Sequence, residues 1–263
     1  MSKLPKGPLL ISHRGGSGLY PENTMIAFQN SVNLYQADVL ELDLHASRDG
    51  ELIVIHDDTV DRTTNGSGRV GEMTLEQIKQ LDAGWHFTQD GGQTFPFRGK
   101  GLTIPTLKEV FNVFQDVDVW FNVEIKRSYP YIENRLYNLI LGKNMTEKVL
   151  VIATHVLVRN KFRRLNKRGI AIGAHWLNCF DAYLVARLNL AKLFQPEYDV
   201  LQIPLKFRGL IPMVNEGLVS LCNSRNIQLH VWTINDVDTM KKLLDIGVHG
   251  IITDYPDRLR KLI

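Results

Sequence analysis

The sequence predicts a (β/α)8, or TIM, barrel, on three observations. Eight short apolar runs of β type recur along the 263 residues. Single segments of helical periodicity separate nearly all of them. No stretch has the composition of a linker. Strands alternating with helices favour parallel pairing through right-handed crossovers, and eight such units in this length favour closure over an open doubly wound sheet. The chain therefore reads as one barrel domain over 1–263, with a single inserted segment at 58–103 after the second strand.

In chain order, the first strand is expected over 9–13 and the first helix over 24–35, with Asn23 at the N-cap. The second strand spans 39–44. A further β-type run at 52–55 follows after only the turn-like Ser47-Arg48-Asp49-Gly50, too short for a crossover and long enough for a hairpin. It should fold back on the second strand. Residues 58–103 are rich in Gly, Thr and Asp, with one short helix at 75–81 that Thr74 and Gln77 can box; Thr106 and Glu109 box the next, at 107–114. Strands then follow at 120–126, 149–153, 170–174, 200–203, 227–233 and 250–253. The helices between them fall at 131–141, 156–167, 180–190, 213–224 and 237–244, the last with Asn235 at its N-cap.

Composition narrows the function classes. A formal net charge of +3 is too small to argue for nucleic acid, and 44% hydrophobic with 22% charged residues is ordinary for a globular enzyme. Cys179 and Cys222 lack metal-ligand spacing and fit free thiols in a reducing compartment, which points to the cytoplasm. The N-terminal apolar run leads straight into His13 without a small-residue cleavage site, and no run approaches the 18 apolar residues of a membrane span.

The chemistry concentrates at the C-terminal ends of strands, where His13, Arg14, Glu41, Asp43, Glu124, Lys126, Trp232 and Asp254 all fall. Glu41 and Asp43, one residue apart in a strand, face the same way, and Glu124 with Lys126 repeats the arrangement in 120–126. Carboxylates crowded together raise each other's pKa unless a cation lies between them. An all-carboxylate set suits Ca²⁺ or Mg²⁺ better than Zn²⁺. Arg14 and Lys126 add positive charge. A divalent metal with two cations is excessive for a neutral ligand and right for a phosphate. His13 and His56 then supply an acid and a base for phosphodiester cleavage.

The string His13-Arg14-Gly15-Gly16, Pro21-Glu22-Asn23-Thr24, Glu41-Leu42-Asp43, Asp49-Gly50, His56-Asp57, Arg62-Thr63-Thr64, Ile104-Pro105-Thr106-Leu107, Glu124-Ile125-Lys126, Val231-Trp232-Thr233 and Thr253-Asp254-Tyr255-Pro256 resembles the glycerophosphodiester phosphodiesterase family nearly end to end. The resemblance implies a TIM barrel, a divalent metal on Glu41, Asp43 and Glu124, acid-base histidines at His13 and His56, and hydrolysis of glycerophosphodiesters to glycerol 3-phosphate and an alcohol. It places Glu22 and Asn23 beside the metal and lifts Trp232 to a cover over the glycerol moiety. The chain departs from the pattern at Thr154-His155, where many members carry Ser-Phe, which affects a pocket wall.

Other features read as structural. His155 and His175 follow strand ends and are expected to be hydrogen-bonded structural histidines, and His45, His86, His230 and His249 receive no role. Trp85 and Phe87 either pack the inserted segment or cover the alcohol group. The basic run Lys161, Arg163, Arg164, Lys167, Arg168 reads as a solvated helix face before a patch for anionic lipid. Two readings compete with hydrolysis of small glycerophosphodiesters. One is cleavage of lysophospholipids, which needs an apolar rim that the polar stretch 66–100 does not offer. The other is a non-catalytic barrel that binds a phosphodiester, which would not need the histidine pair.

Overall fold

The computed structural model describes residues 4–263 other than Ser128, Pro130, Thr154, Asn189 and Arg208, so the departure at Thr154 lies outside the described residues. The strands are β1 (Leu9–Ser12), β2 (Val39–Ala46), β3 (Leu52–Val54), β4 (Trp120–Ile125), β5 (Val149–Ala153), β6 (Ala171–Ile172), β7 (Val200–Pro204), β8 (Lys206–Phe207), β9 (Ile211–Pro212), β10 (Gln228–Trp232) and β11 (Gly250–Thr253). Eight of them pair in parallel in the order β6-β5-β4-β2-β1-β11-β10-β7. A parallel bridge between Gly173 and Val200 joins the two ends. Asp199 N donating to Ile172 O and Ala174 N donating to Val200 O, each 2.8 Å, complete the ring.

Alternation along the strands builds two cores. Leu40, Leu42 and Leu44 of β2 and Phe121, Val123 and Ile125 of β4 face outward into the main apolar layer under the helices. Fully burying each such side chain stabilises by about 1.5–3 kcal/mol. Leu9, Ile11, Val39 and Ile252 form a separate apolar cluster, as do Leu150, Ile152, Ala171 and Val200, each joined by Trp120. These side chains alternate with the outward set and so fill the barrel lumen. Farther along the same inward rows come Asn122, Gln202 and His230, with Asn122 Nδ2 donating to Gln202 Oε1 at 3.4 Å and Gln202 Nε2 lying 3.4 Å from His230 Nδ1. Above that polar layer, the inward row of β2 presents Glu41, Asp43 and His45.

The helices are α1 (Met25–Asn33), α2 (Leu75–Lys79), α3 (Leu107–Phe114), α4 (Ile132–Gly142), α5 (Val156–Leu165), α6 (Trp176–Arg187), α7 (Glu216–Ser224), α8 (Val237–Asp245) and α9 (Pro256–Leu259). Both expected capping boxes are present, Thr74 with Gln77 and Thr106 with Glu109. Two other caps differ from expectation. Thr24, not Asn23, caps α1, and Asp236, not Asn235, caps α8. Each asparagine is instead spent on a site carboxylate, Asp43 and Asp254 respectively. Helix α6 starts a turn before residue 180, directly after β6, because Trp176 and Leu177 extend its apolar pattern.

The run at 52–55 does fold back, as β3, antiparallel to β2 with Leu44 opposite Val54 and Ala46 opposite Leu52. Segment 58–103 has its own small core of Val60, Val70, Ile78 and Ala83 under Ile53, Ile55 and Ile104. It leans on the loop after β1, where Phe97 packs edge-on against Phe87 and Tyr20, at 5.5 and 6.2 Å between centroids, and Gln89 Nε2 donates to Gly18 O. Trp85 packs under Arg98, 4.8 Å from the ring centroid. Trp85 and Phe87 thus belong to the packing of this segment. Both cysteines are free; Cys222 is buried and Cys179 half-buried. Among the described residues no helix is long and apolar enough to cross a membrane.

Candidate active site

The chain leaves β1 through a tight turn, His13 to Gly16, whose last three residues all have left-handed backbone: Arg14 φ 51°, Gly15 φ 80° and Gly16 φ 88°. A β-carbon at Gly15 would sit 2.8 Å from that of Ala27, so helix α1 can press against the turn only because glycine is there. The turn aims the Arg14 amide at Glu41, whose Oε2 accepts at 2.8 Å, and brings His13 over the mouth.

Glu41, Asp43 and Glu124 converge from β2 and β4, where Asp43 is registered opposite Glu124. One oxygen from each lies within 4.8 Å of the others, a set that could hold a metal ion. Glu41 and Asp43 are buried at 4% and 1% exposure. Burial, then the charge of Asp43, pushes the Glu41 carboxyl up to about 8. Burial would raise Asp43 as well, but Lys126 and Arg14 beside it hold its carboxyl below the usual range. Asn23 Nδ2 donates to Asp43 Oδ2 at 2.9 Å, while Arg14 Nε lies 3.3 Å from the same oxygen. Lys126 Nζ sits between Asp43 Oδ1 (3.0 Å) and Glu124 Oε2 (2.9 Å). Even so, Asp43 Oδ1 is buried and accepts no hydrogen bond. Three oxygen donors, one of them without a hydrogen bond and one carboxyl pushed up by burial and then by the charge of Asp43, fit a hard cation.

Each histidine is backed by a carboxylate. His13 Nδ1 lies 2.6 Å from Asp254 Oδ1, and Asp254 also accepts from Ser17 Oγ at 2.5 Å and Asn235 Nδ2 at 2.6 Å. Burial opposes charge on both partners, yet their bond and mutual charge, joined by the charge of Glu41 on His13 and by Ser17 and Asn235 on Asp254, together outweigh it: Asp254 is lowered to about 2 and His13 is raised. An ionised carboxylate can only accept, so Nδ1 carries the proton and Nε2 is left for other partners. His56 repeats this with Asp57, Nδ1 to Oδ1 at 2.6 Å. Asp57 is likewise lowered to about 2, with Arg62 and His56 outweighing burial. The His56 backbone is fixed from below. Buried His45 lies with Nε2 3.0 Å from His56 O and Nδ1 3.0 Å from the Tyr129 hydroxyl, so Nε2–H donates to the carbonyl and Nδ1 accepts.

Glu22 does not reach the three carboxylates. It joins Arg14 (Nη1 to Oε1, 3.0 Å) to Arg62, whose Nη1 and Nη2 both donate to it at 2.7 Å, while Arg62 Nε donates to Asp57 at 2.6 Å. Burial would raise Glu22, but Arg62 and Arg14 hold it low. A chain of ion pairs thus runs from Asp43 to the partner of His56. Trp232 ends β10 at the mouth, 43% exposed, beside Pro204 of β7. His175 precedes α6, and His230 is buried with Nε2 3.0 Å from Gln228 Oε1.

The structure therefore brings His13, His56, Glu41, Asp43, Glu124, Arg14, Lys126, Glu22, Asn23 and Trp232 to one end of the barrel, the C-terminal strand ends. Sequence reasoning assigned no role to Asp57, Arg62 or His45, and placed Asp254 in the strand-end cluster without a partner. Adjacency to His56 marks Asp57, and the alternation that selects Glu41 and Asp43 also selects His45 two residues on.

Replacing Asp254 by Asn is expected to lower turnover by about 10–10²-fold, the range for losing a group that orients a functional histidine. The same change should move the His13 titration, read by NMR, downward, because the bond and charge that raise it are gone. An unmoved His13 titration would show that Asp254 has only a packing role.

Residues 13–258 match the model of the glycerophosphoryl diester phosphodiesterase family. A glycerophosphodiester phosphodiesterase from Caldanaerobacter subterraneus subsp. tengcongensis is 38% identical over 264 residues, covering 97% of each chain. One from Bacillus subtilis is 31% identical over 98% of this chain and 87% of its own. Among solved structures, the glycerophosphoryl diester phosphodiesterase domain of an uncharacterized Mycobacterium tuberculosis protein superposes with a TM-score of 0.86 at 20% identity, over 97% of this chain and 98% of that one. That likeness supports the closed barrel.

Proposed function

The chain belongs to the glycerophosphoryl diester phosphodiesterase family, and on that basis we propose that it hydrolyses glycerophosphodiesters to sn-glycerol 3-phosphate and an alcohol, with a divalent metal ion held by Glu41, Asp43 and Glu124. It is thus a phosphoric diester hydrolase. One observation carries the reading: two histidine–carboxylate pairs, His13–Asp254 and His56–Asp57, flank a single oxygen-donor cluster at the mouth.

When bound, Ca²⁺ or Mg²⁺ supplies the positive charge that neutralises a phosphate oxygen. Arg14 and Lys126, already within 3.3 Å of Asp43, bring further cationic charge to the phosphoryl group. His13 and His56, each with Nδ1 tied back, present Nε2 to the reacting oxygens, one removing the nucleophile's proton and the other protonating the departing alkoxide. Trp232 covers the glycerol end with its ring face. Glu22 and Asn23 fix Arg14 and Asp43. Residues 1–263 then act as one catalytic domain, with 58–103 as the inserted wall that selects the alcohol. A cytoplasmic site of action fits the two free thiols.

The assay is release of free sn-glycerol 3-phosphate from glycerophosphocholine, glycerophosphoethanolamine and lysophospholipids. Turnover of the first two is expected, and no release from any of the panel would sink the assignment.

Glu41 gives a pH test without turnover. Its pKa is raised from 4.5 to about 8 in the metal-free fold, so the folded state binds more protons than the unfolded chain between those values. Stability of metal-free protein must then fall as pH rises from about 4.5 to about 8 and level off above. Metal-free Glu41→Gln is expected to melt higher than the parent at pH 8, the gap closing toward pH 4.5. Equal melting temperatures at both ends would mean that Glu41 ionises freely.

A further inference from the structure

Ten of the fourteen exposed large hydrophobic residues among the described residues lie within 155–212, and none lies in 58–103. That clustering departs from the scattered single exposures of an ordinary surface. Trp176, Phe180 and Leu184 recur every four residues along α6 and share one outer face, with Trp176 at the mouth end directly after β6. Leu157, 76% exposed, opens α5 beside it. The β8–β9 hairpin, which follows β7, carries Leu210 at its tip, 82% exposed, and Ile211. Helices and hairpin come from consecutive barrel strands, so they form one sector that reaches the rim near Trp232.

The same span carries the chain's positive charge. Residues 155–212 hold ten Lys and Arg against three Asp and Glu, a net +7 in a chain whose total is +3, which leaves the remainder at −4. Lys161, Arg163, Arg164, Lys167, Arg168 and Lys206 are all exposed. A second copy docked through this sector would bring +7 against +7, so the charge selects an anionic occupant. On the hairpin itself exposed Lys206 stands in β8, one turn from Leu210 and Ile211, while the basic end of α5 lies farther down the same sector. An apolar tip carrying a cation, with a tryptophan on the adjoining helix and a net positive sector behind it, is what an anionic phospholipid surface takes up.

We propose that the sector formed by α5, α6 and the β8–β9 hairpin docks on an anionic phospholipid surface, with the hairpin tip and the outer stripe of α6 seated among the headgroups and the catalytic mouth open at the interface. Such docking holds the barrel at the place where phosphodiesters of lipid origin are released. It is independent of which alcohol the site accepts.

The test uses the full chain and flotation with vesicles of phosphatidylcholine alone or with an equal part of phosphatidylglycerol. Binding is expected only to the anionic vesicles and should weaken with added salt. Leu210→Glu, and separately the pair Trp176→Glu with Phe180→Glu, should each lower binding at least about tenfold. Lys206→Glu on the hairpin should lower it at least about fivefold, the factor per cation removed. All are exposed positions, so unchanged thermal melts and unchanged turnover of soluble glycerophosphoethanolamine are expected alongside. Equal binding to both vesicle types, no binding to either, or variants that bind like the parent would overturn the proposal. So would a dimer in sedimentation that Leu210→Glu dissociates, since the sector would then be a contact between copies.

Discussion

Exhaustive dialysis against a chelator is expected to lower turnover of glycerophosphodiesters by at least about 10³-fold, and Ca²⁺ or Mg²⁺ to restore it, because a metal contributes several kcal/mol of charge stabilisation to phosphoryl chemistry. The protein itself should remain folded. Lys126 lies within 3.0 Å of both Asp43 and Glu124 and Arg14 within 3.3 Å of Asp43, so two of the three carboxylates keep a cationic neighbour without the ion. Among the described residues Glu41 has no Lys or Arg side chain paired with it, and its carboxyl, pushed up to about 8, holds a proton instead. Lys126 cannot replace the metal at all three oxygens, since one ammonium already bridging Asp43 and Glu124 leaves Glu41 uncompensated. Retention of full activity in excess chelator would mean that the three carboxylates hold only Arg14 and Lys126 in place. Replacing Glu124 by Ala should lower metal affinity and turnover together; a loss of turnover with affinity unchanged would assign Glu124 another task.

The barrel was legible because strand and helix periods alternate without ambiguity, and the hairpin at β3 because four turn residues cannot span a crossover. Convergence of Glu41, Asp43 and Glu124 followed from period-two alternation and the pairing of adjacent strands. What stayed hidden depends on tertiary geometry. Asn23 and Asn235 have the residue type of caps, and their neighbours Thr24 and Asp236 took that task because the asparagine amides were needed by Asp43 and Asp254. Asp254 lies 241 positions from His13, and only closure of β11 onto β1 makes them partners. The rim shows the same limit. Reading 66–100 as polar was sound, but the apolar arc comes from α5, α6 and the hairpin, where a short run cannot be told from core until burial is seen.

His13→Ala and His56→Ala are each expected to lower kcat by about 10²–10⁴-fold with the fold intact, the range for removing a general acid or base. Both side chains are partly exposed, 19% and 30%, so truncation leaves little cavity and the loss is chemical. The double variant should lose far less than the product of the two effects, since both groups serve one transition state. A nitrophenyl ester assigns the roles. Its leaving group departs without protonation, so it should rescue only the variant that lacks the acid. Phosphorus NMR during the first turnovers identifies the attacking group: a cyclic phosphate appears if the glycerol hydroxyl attacks first, and none appears if water attacks phosphorus directly. The carboxylates add an internal check. Asp57 sits beside His56 and is anchored by Arg62, so Asp57→Asn should mimic His56→Ala in leaving-group dependence and not His13→Ala. If neither histidine substitution slows the natural substrate by at least about tenfold, the acid-base pair is wrong, and Arg14, Lys126 and the carboxylate cluster must account for the whole rate.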